Sequence, residues 1–537
     1  MGRAAPFAAG LPGIPGGPNA LHCSGPDRVS VQRQSEEVAR FVSNMFRSLA
    51  VRNYRIWFAG ALVSNIGAWM QATTQNWVVL TELTDNNAAA VGLTMALQFG
   101  PQLLLVPFSG AVADRFDRRR VLLVTQSLLM LLAAGLGLLL VTGQAHLWHL
   151  YGFALALGIV NAFDTTSRQA FVSDLVGTEQ LSNAVALNSA SFNSARLIGP
   201  AVAGVLIAVV GSGWVFLINA VSFLAVLGAL LLIDVRRPAR PAGAARESQL
   251  RQLSAGFRYV RGRHDLLVIF VMVFLVGAFS MNFPVISSTM AVEFGRGASD
   301  YGLLSSILAI GSLSGALLSA RRPSARMRVV IISVGGIGVV SLAAALMPSF
   351  WTFAATLVFF GLAISTMLTT ANGFVQTTAD PAVRGRVLAL YMAILMGGTP
   401  VGAPLVGAAA DALGPRSTLV ISAAAGLLAF GIGVAWLFTE RELRFHRDRG
   451  LRFTVTHAGR PGVEDDPRRQ TETLTAPISV LRRGGAAMGA GESAPVDGAG
   501  AAATGAIRME DIEDPDAPRR GSFGKRRSGP ESLRDPE

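Results

Sequence analysis

Apolar residues follow one another in twelve long stretches between about residues 56 and 438, separated by short polar segments. Each stretch can cross a bilayer, which takes about 20 helical residues. Because backbone polar groups in lipid must be paired within the segment, the stretches are predicted to be helices. They show no barrel-type alternation of polar and apolar residues. The predicted spans lie near 56–80, 89–113, 120–142, 147–171, 182–210, 213–233, 266–290, 301–320, 328–346, 351–373, 386–410 and 416–438.

The longest polar segment between two spans, residues 234–265, divides the twelve into six plus six. Its apolar residues at helical spacing, Leu250, Leu253, Phe257 and Val260, alternate with arginines and predict a cytoplasmic surface helix. Gly, Ala and Pro are frequent at both ends of the chain, which predicts disorder there. The predicted domains are a disordered N-terminus with an amphipathic lead-in (1–55), two six-helix halves (56–233 and 266–438), the linker (234–265) and a disordered cytoplasmic tail (439–537).

The two halves resemble each other at a fixed offset. Five residues of the fifth span, Ala186, Leu187, Gly199, Gly204 and Gly211, recur 203 positions later as Ala389, Leu390, Gly402, Gly407 and Gly414. Parallel six-helix repeats are one way in which transporters are built. The sequence therefore predicts an all-α integral membrane protein with twelve transmembrane helices in two pseudo-symmetric halves.

Arginines are distributed unequally between the two sets of loops. The loops after the second, sixth, eighth and tenth spans carry 18 arginines, whereas the opposite loops carry Arg296 and Arg416. Because arginine-rich loops stay in the cytoplasm, both termini are predicted to be cytoplasmic. The eighteen are Arg115, Arg118, Arg119, Arg120, Arg236, Arg237, Arg240, Arg246, Arg251, Arg258, Arg261, Arg263, Arg321, Arg322, Arg326, Arg328, Arg384 and Arg386.

Composition excludes several classes of soluble protein. Hydrophobic residues make up 51% of the chain and charged residues 15%, with a mean hydropathy of +0.46, whereas soluble domains have about 25% charged residues. The net charge is +12, and many of the arginines cluster in short loops between the apolar stretches, which indicates membrane topology rather than nucleic-acid binding. The single cysteine, Cys23, excludes an internal disulfide framework. No nucleotide-binding P-loop, catalytic constellation or metal-ligand spacing is found, so no enzyme, cofactor or metal is predicted.

A charged signature closes the second span. Gly110, Asp114, Arg115, Arg118 and Arg119 fit the pattern G-x-x-x-D-R-x-x-R-R. The glycine lets a neighbouring helix approach, and the aspartate can cap a helix N-terminus and pair with an arginine. This predicts a latch that holds one face closed; the alternative is a cluster that only sets topology. The signature resembles that of the major facilitator superfamily, which implies its twelve-helix fold.

The fifth span carries Gly199, Pro200 and Gly204. Small residues permit close helix approach, and proline weakens the local hydrogen-bond ladder. The group resembles the Gly-Pro motif of the superfamily's proton-driven exporters, and the resemblance implies export. Plain helix packing is the alternative interpretation.

The stretch from Asp164 to Pro200 is similar to the enterobactin-exporter-like branch of the superfamily, and the resemblance extends over about residues 45–440. It implies efflux of a siderophore, drug or other secondary metabolite, driven by the proton gradient without a cofactor. The implied partners are a small-molecule substrate and the lipid bilayer, with no nucleic acid and no obligate protein partner. The implied location is a cell membrane, the inner membrane of a bacterium.

Few charges lie within the apolar spans, so each one is informative. Asp164 and Arg168 are four residues apart on one helix face and can pair, and Arg196 lies near mid-bilayer in the fifth span. One hypothesis makes Asp164 a proton-coupling site and Arg196 a contact for an anionic or catechol-like substrate. The other makes Asp164, Arg168 and Arg196 a network that joins two helices.

Uncharged amides give a weaker indication of a substrate cavity. Asn65, Gln71 and Gln75 lie in the first span and Asn282 in the seventh, its pseudo-symmetric mate. An amide in lipid needs a partner, so these side chains either line a cavity or bond to neighbouring helices. We expect them to line the cavity.

These observations favour a secondary transporter that exports a small organic molecule by alternating access. Two alternatives stay open at this point: a proton-coupled uptake permease, and a non-transporting membrane sensor or scaffold that acts through its tail.

Overall fold

The computed structural model describes residues 46–234, 256–440, 443–447 and 453–457. Beyond a short 3-10 turn at Arg47–Ala50, its helices follow the predicted spans in order. They are α1 Arg52–Thr81, α2 Ala88–Arg115, α3 Arg118–Val141, α4 Leu147–Leu175, α5 Thr178–Val210, α6 Ser212–Leu232, α7a His264–Leu275, α7b Phe283–Glu293, α8 Ala298–Ala320, α9 Met327–Ala345, α10 Phe350–Thr378, α11 Arg384–Leu413 and α12 Ser417–Glu440.

Eleven helices of the described residues are long and apolar enough to cross a membrane, with α7a and α7b counted as one. The remaining one, α1, has 30 residues but carries a polar second half. Its Gln71, Gln75 and Asn76 are buried against other helices, where amides find partners that lipid does not offer. With α1 the helices make up the twelve that the sequence predicts.

The seventh span is broken at its middle. A π-helical turn, Val276–Ser280, follows α7a, and Pro284 lies in the first turn of α7b, where its missing N–H costs nothing. Gly402 of α11 packs against this turn, so that a side chain there would collide with the Ala278 carbonyl. The break therefore accompanies a very close approach of α7 and α11.

The repeat predicted from the fifth and eleventh spans is visible in the backbone. Gly211 and Gly414 end α5 and α11 with φ +89° in both, and ψ is 159° and 160°. Residues with a Cβ rarely adopt this conformation, so glycine is required at both ends. The two positions lie 203 residues apart, which is the offset read from the sequence.

The same repeat governs how α5 and α11 pack. A Cβ at Gly199 would lie 2.6 Å from Cβ of Trp69 on α1, and one at Gly204 would lie 2.7 Å from the Ala298 carbonyl on α8. The counterparts on α11, Gly402 and Gly407, lie against α7 and α2. Each half thus sends one glycine-lined helix across to the other half, and α5–α8 and α2–α11 form the two seams between them.

The seams close at one end of the bundle. This end carries the segments after α1, α3, α5, α7b, α9 and α11, and we call it the arginine-poor face. We call the opposite end of the bundle the arginine-rich face. Trp77 stacks on Tyr301 across the halves with ring centroids 5.7 Å apart, and the Ser306 hydroxyl donates to the Leu197 carbonyl at 2.8 Å. Gly204 and Gly407 make their close contacts toward the same face.

The predicted linker helix and tail fall largely outside the described residues. Residues 256–261 are helical, and Val260 is buried with the apolar residues of α7a. After α12, two strands, β1 Leu443–Arg447 and β2 Phe453–His457, pair antiparallel with Leu443 opposite His457. The sequence pattern predicts no regular structure there, because it contains no long alternation that would specify a strand. The membrane-spanning part of the described chain is all-helical.

Candidate functional site

Asp164 is the one buried carboxylate among the described residues, with 4% of its surface exposed. Its Oδ1 accepts from the Thr125 hydroxyl at 2.8 Å and from Nε2 of Gln126 at 2.6 Å, both on α3. Its Oδ2 accepts from Nε of Arg168 at 3.2 Å, one turn further along α4. Both carboxylate oxygens are therefore satisfied, as burial of a charge requires.

Arg168 extends this arrangement to two more helices. Its Nη1 donates to Oδ1 of Asn65 on α1 at 3.3 Å, and Nδ2 of Asn65 donates to Ser191 of α5 at 3.2 Å. The guanidinium also lies 5.7 Å from the ring centroid of Trp57. We call Asp164, Thr125, Gln126, Arg168, Asn65 and Ser191 the Asp164 cluster; it joins α1, α3, α4 and α5.

Arg196 lies outside this cluster, although one of the two hypotheses drawn from the sequence groups it with Asp164 and Arg168. It sits halfway along α5, and its Cζ lies 5.8 Å from the ring centroid of Trp69. Trp69 in turn meets Phe192 edge to face at 5.6 Å. Within the described part of the chain, no carboxylate forms an ion pair with Arg196. The cluster and Arg196 are therefore two separate charge sites.

The direction of Arg196 follows from its neighbours on α5. With about 100° per residue, Arg196 projects between Gly199, which contacts α1, and Pro200, which contacts α8. The space between α1 and α8 is the interior of the bundle, where the two halves face each other. Arg196 is partly exposed there. A guanidinium and two aromatic rings at mid-helix form a surface suited to an anionic, flat ligand.

Of the four amides expected in the cavity, the structure buries three. Gln71 accepts from Asn219 of α6 at 2.6 Å, and Gln75 donates to Gln98 of α2 at 3.0 Å. Asn282 is fully buried beside the break in α7; its Nδ2 donates to the Ala278 carbonyl, and its Oδ1 has no partner among the described residues. Gln71 and Gln75 hold helices together, because an amide between two helices satisfies its polar atoms without a cavity. The hydrogen bond of Asn282 stays within its own span. Asn65 is half-buried in the Asp164 cluster.

The signature at the end of α2 forms a compact cluster of charged side chains. Arg118 forms its shortest ion pair with Asp174 at the end of α4, at 2.7 Å, and lies 4.0 Å from Asp114. Arg119 donates to the Leu231 carbonyl of α6 at 3.1 Å. Arg115 is exposed, and Gly110 lies in the last turns of α2. Asp174 is a member that the motif does not contain, and the sequence analysis missed it because it lies 56 residues away.

Sequence reasoning also missed a carboxylate at the other end of the α2–α11 contact. Asp411, at the end of α11, accepts from the backbone N–H of Ala88 at 2.7 Å and of Ala89 at 2.9 Å, which are the first two residues of α2. Free N–H groups and a partial positive charge at a helix start favour a carboxylate there. We call this contact the Asp411 clasp. It closes the α2–α11 seam at the arginine-poor face.

The sequence does carry a signal for the clasp. Gly407 and Asp411 have the G-x-x-x-D spacing of Gly110 and Asp114. Gly407 lets α11 approach Ala88 so closely that Asp411, one turn further on, reaches the start of α2. Sequence reasoning recognised the G-x-x-x-D spacing at Gly110 and Asp114, where arginines follow it, and passed over the same spacing at Gly407 and Asp411.

Comparison with known proteins gives the same picture of a transporter. The family model described as "transmembrane secretion effector" matches residues 43–444. The staphyloferrin A transporter of Staphylococcus aureus is 26% identical over 395 residues, which cover 73% of this chain and 97% of the relative. The enterobactin exporter EntS of Shigella flexneri is 29% identical over 389 residues, covering 70% of this chain and 90% of the relative.

Solved structures share the fold at low sequence identity. The nucleoside transporter NupG superimposes with a TM-score of 0.59 at 14% identity, covering 71% of this chain and 99% of NupG. A D-xylose–proton symporter superimposes with a TM-score of 0.57 at 13% sequence identity, covering 72% of this chain and 97% of the symporter. A bacterial homologue of the human lysosomal transporter Spinster superimposes with a TM-score of 0.56 at 15% sequence identity, covering 71% of this chain and 96% of the homologue.

The family and the relatives are transporters rather than enzymes, and the helices make this a multi-pass membrane protein. The resemblance to the enterobactin-exporter-like branch, drawn from the stretch between Asp164 and Pro200, is confirmed by the relatives. The chain belongs to the transmembrane secretion effector family of the major facilitator superfamily.

Proposed function

We propose that the protein exports a small organic anion, of the siderophore, drug or secondary-metabolite class, by alternating access and in exchange for protons. The observation that carries this proposal is Arg196, a guanidinium without an ionic partner among the described residues, halfway along a helix that faces the bundle interior. A charge in this position is costly unless a ligand or water compensates it. The exporter relatives support the outward direction.

The substrate contact combines charge and aromatic surface. Arg196 offers a planar set of N–H donors for a carboxylate or catecholate, and Trp69 and Phe192 beside it offer ring faces. A ligand with a negative group next to an aromatic or conjugated ring uses both features at once. Siderophores of the catecholate type have this chemistry, and enterobactin is named as the cargo of one relative.

Alternating access is supported by the two G-x-x-x-D elements on the α2–α11 seam. The Asp411 clasp holds α11 to the start of α2 at the arginine-poor face. In the opposite state, Asp114 at the end of α2 caps the start of α11 at the arginine-rich face, as the latch hypothesis expects. Rocking of the halves exchanges one capped helix start for the other, so in each state one of the two carboxylates caps a helix start.

Proton exchange is assigned to Asp164, because it is the buried carboxylate of the described spans. A carboxylate takes up a proton readily only when no cation faces it. Arg168 must therefore leave Asp164 in one state, and Asn65, 3.3 Å from its Nη1, is the partner available to it. In this scheme the Asp164 cluster opens and closes with the halves.

The arginine-rich face is proposed to be cytoplasmic, so both termini lie in the cytoplasm of a bacterium and the Asp411 clasp faces outward. The arginine distribution supports this orientation. Export then begins from the state in which the clasp is closed and Arg196 is reached from the cytoplasm.

The test compares metabolites inside and outside cells that lack or express the protein, with and without a protonophore. We expect one anionic compound to accumulate inside the deletion strain and its export to collapse with the proton gradient.

Arg196→Gln should reduce export about tenfold, or about 1.4 kcal/mol, while Arg322→Gln, an exposed arginine of the second half, should not. Accumulation outside the deletion strain would indicate uptake instead. A phenotype that survives Arg196→Gln but not deletion of residues 445–537 would indicate a scaffold.

A further inference from the structure

An apolar groove of about 490 Å³ opens on the outer surface of the first half, between the end of α2, the first half of α3 and α4. Its floor includes Thr125, and its apolar walls are formed by Phe116, Val121, Val124, Leu128, Ile159 and Phe163. Phe116, Val124, Leu128 and Ile159 are exposed. The groove is thus open to the surrounding bilayer and is separate from the bundle interior where Arg196 lies.

The rim of the groove carries an arginine and an aspartate. Arg120 lines it and is exposed, and none of the described carboxylates forms an ion pair with its guanidinium. This sets Arg120 apart from Arg118, which is held by Asp174. Asp117 also lines the rim, but its Oδ1 already accepts from the backbone N–H of Arg119 and Arg120. The charge of Arg120 is left for a ligand.

The dimensions match one kind of molecule that the membrane supplies. Arg120 lies at the third residue of α3, at the membrane boundary, and Leu128 lies eight residues deeper, about 12 Å at 1.5 Å per residue. A phospholipid places its phosphate at this boundary and its acyl chains directly below. Burial of acyl methylene groups and the attraction of a headgroup phosphate to arginine act together at such a place.

We infer that this groove binds an anionic phospholipid, with one acyl chain between α3 and α4 and the phosphate at Arg120. The groove shares Thr125 with the Asp164 cluster, because the hydroxyl of Thr125 donates to Asp164 at 2.8 Å from the other side. A bound acyl chain therefore packs directly behind one of the donors that hold Asp164. The inference does not depend on which compound is transported or in which direction.

Native mass spectrometry of the purified full-length protein tests the site. The delipidated protein is titrated with phosphatidylglycerol and, in parallel, with phosphatidylcholine of the same chain length. We expect a retained phosphatidylglycerol adduct whose affinity falls about fivefold in Arg120→Gln, the loss expected for one arginine near a lipid phosphate. Val124→Trp, which fills the groove from its lipid-exposed side, should abolish the adduct. Arg322→Gln, with the same change of charge in the second half, should leave it intact.

Thermal unfolding of each variant verifies that it is folded, and Arg120 and Val124 are both exposed, so we expect normal unfolding temperatures. Equal binding of phosphatidylglycerol by the wild type and Arg120→Gln overturns the inference. So does equal affinity for phosphatidylcholine, since the groove would then accept any acyl chain. An adduct that survives Val124→Trp places the lipid elsewhere and overturns it as well.

Discussion

Single residues of this protein illustrate two ways to keep a charge inside a membrane. Asp164 is surrounded by donors of α3 and α4, whereas Arg196 rests on an aromatic ring without an ionic partner among the described residues. The sequence predicts that Asp164 and Arg168 pair, because i and i+4 share a helix face. It left open whether Arg196 joins them, because the partners of Asp164, Thr125 and Gln126, lie 39 and 38 residues away.

Substitution of Asp164 distinguishes a structural from a coupling role. Asp164→Asn leaves the guanidinium of Arg168 without its ion partner in a buried site, which should cost about 3–5 kcal/mol of stability. The double variant Asp164→Asn/Arg168→Gln should recover part of that loss, because no uncompensated charge is left. Thermal unfolding, monitored by tryptophan fluorescence, measures the stability of the single and the double variant, with Asp85→Asn at an exposed position as a control.

Proton dependence is then measured in the double variant after reconstitution into vesicles. If Asp164 carries the proton, the folded double variant should lose coupling between the pH gradient and substrate flux. Retention of full coupling would exclude Asp164 as the carrier and leave it a purely structural role.

At the level of the element, small residues decide where helices meet. The sequence locates α5 and α11 as glycine-containing repeats, and Gly211 and Gly414 confirm that correspondence with equal backbone angles. It does not foresee the break in α7, since Asn282 and Pro284 are compatible with a kinked as well as a straight helix. The break depends on how closely Gly402 of α11 approaches, which is a tertiary contact.

The same substitution should have opposite effects at two glycines. Gly204→Ala places a methyl group 2.7 Å from the Ala298 carbonyl on the α5–α8 seam, and overpacking of this kind costs about 1–3 kcal/mol. Gly228→Ala on α6 meets nothing within 4 Å, so it should stabilise the helix by about 0.4–1 kcal/mol. Unfolding temperatures of the two variants give the comparison; a destabilised Gly228→Ala would contradict it.

At the level of the whole molecule, two halves meet along two seams that are closed toward one face. Loop arginines predict which face is cytoplasmic, because that signal depends on composition and not on contacts. The closed end could not be predicted, since it is a property of one conformational state. Asp411 and Ala88 are 323 residues apart, and only the packing of Gly407 brings them together.

Loss of the Asp411 clasp should open the arginine-poor face. In Asp411→Asn the side chain loses its charge and one of the two acceptor oxygens, which weakens the interaction with the start of α2 by about 0.3–1 kcal/mol. Spin labels at the exposed positions Asp85 and Leu413, in a Cys23→Ser background, report the distance across the seam. We expect a larger population of long distances than in the parent protein; an unchanged distribution would exclude a gating role for Asp411.

The orientation of the molecule can be measured in intact cells. In the same cysteine-free background, Gln144→Cys lies on the arginine-poor face and Ser324→Cys on the arginine-rich face, and both positions are exposed. A membrane-impermeant maleimide should label Gln144→Cys only, and both after the cells are permeabilised. Labelling of Ser324→Cys in intact cells would reverse the proposed topology.

The two seams of the arginine-poor face are not equivalent. The residue that corresponds to Asp411 in the first half, 203 positions earlier, is Ala208, so the start of α8 receives no carboxylate from this position of α5. The α2–α11 seam therefore has a charged contact in addition to its close packing, whereas the α5–α8 seam has close packing and the uncharged hydrogen bond of Ser306. Salt screens charges and leaves steric fit unchanged, so the ionic strength at the arginine-poor face should affect the α2–α11 seam and not the α5–α8 seam.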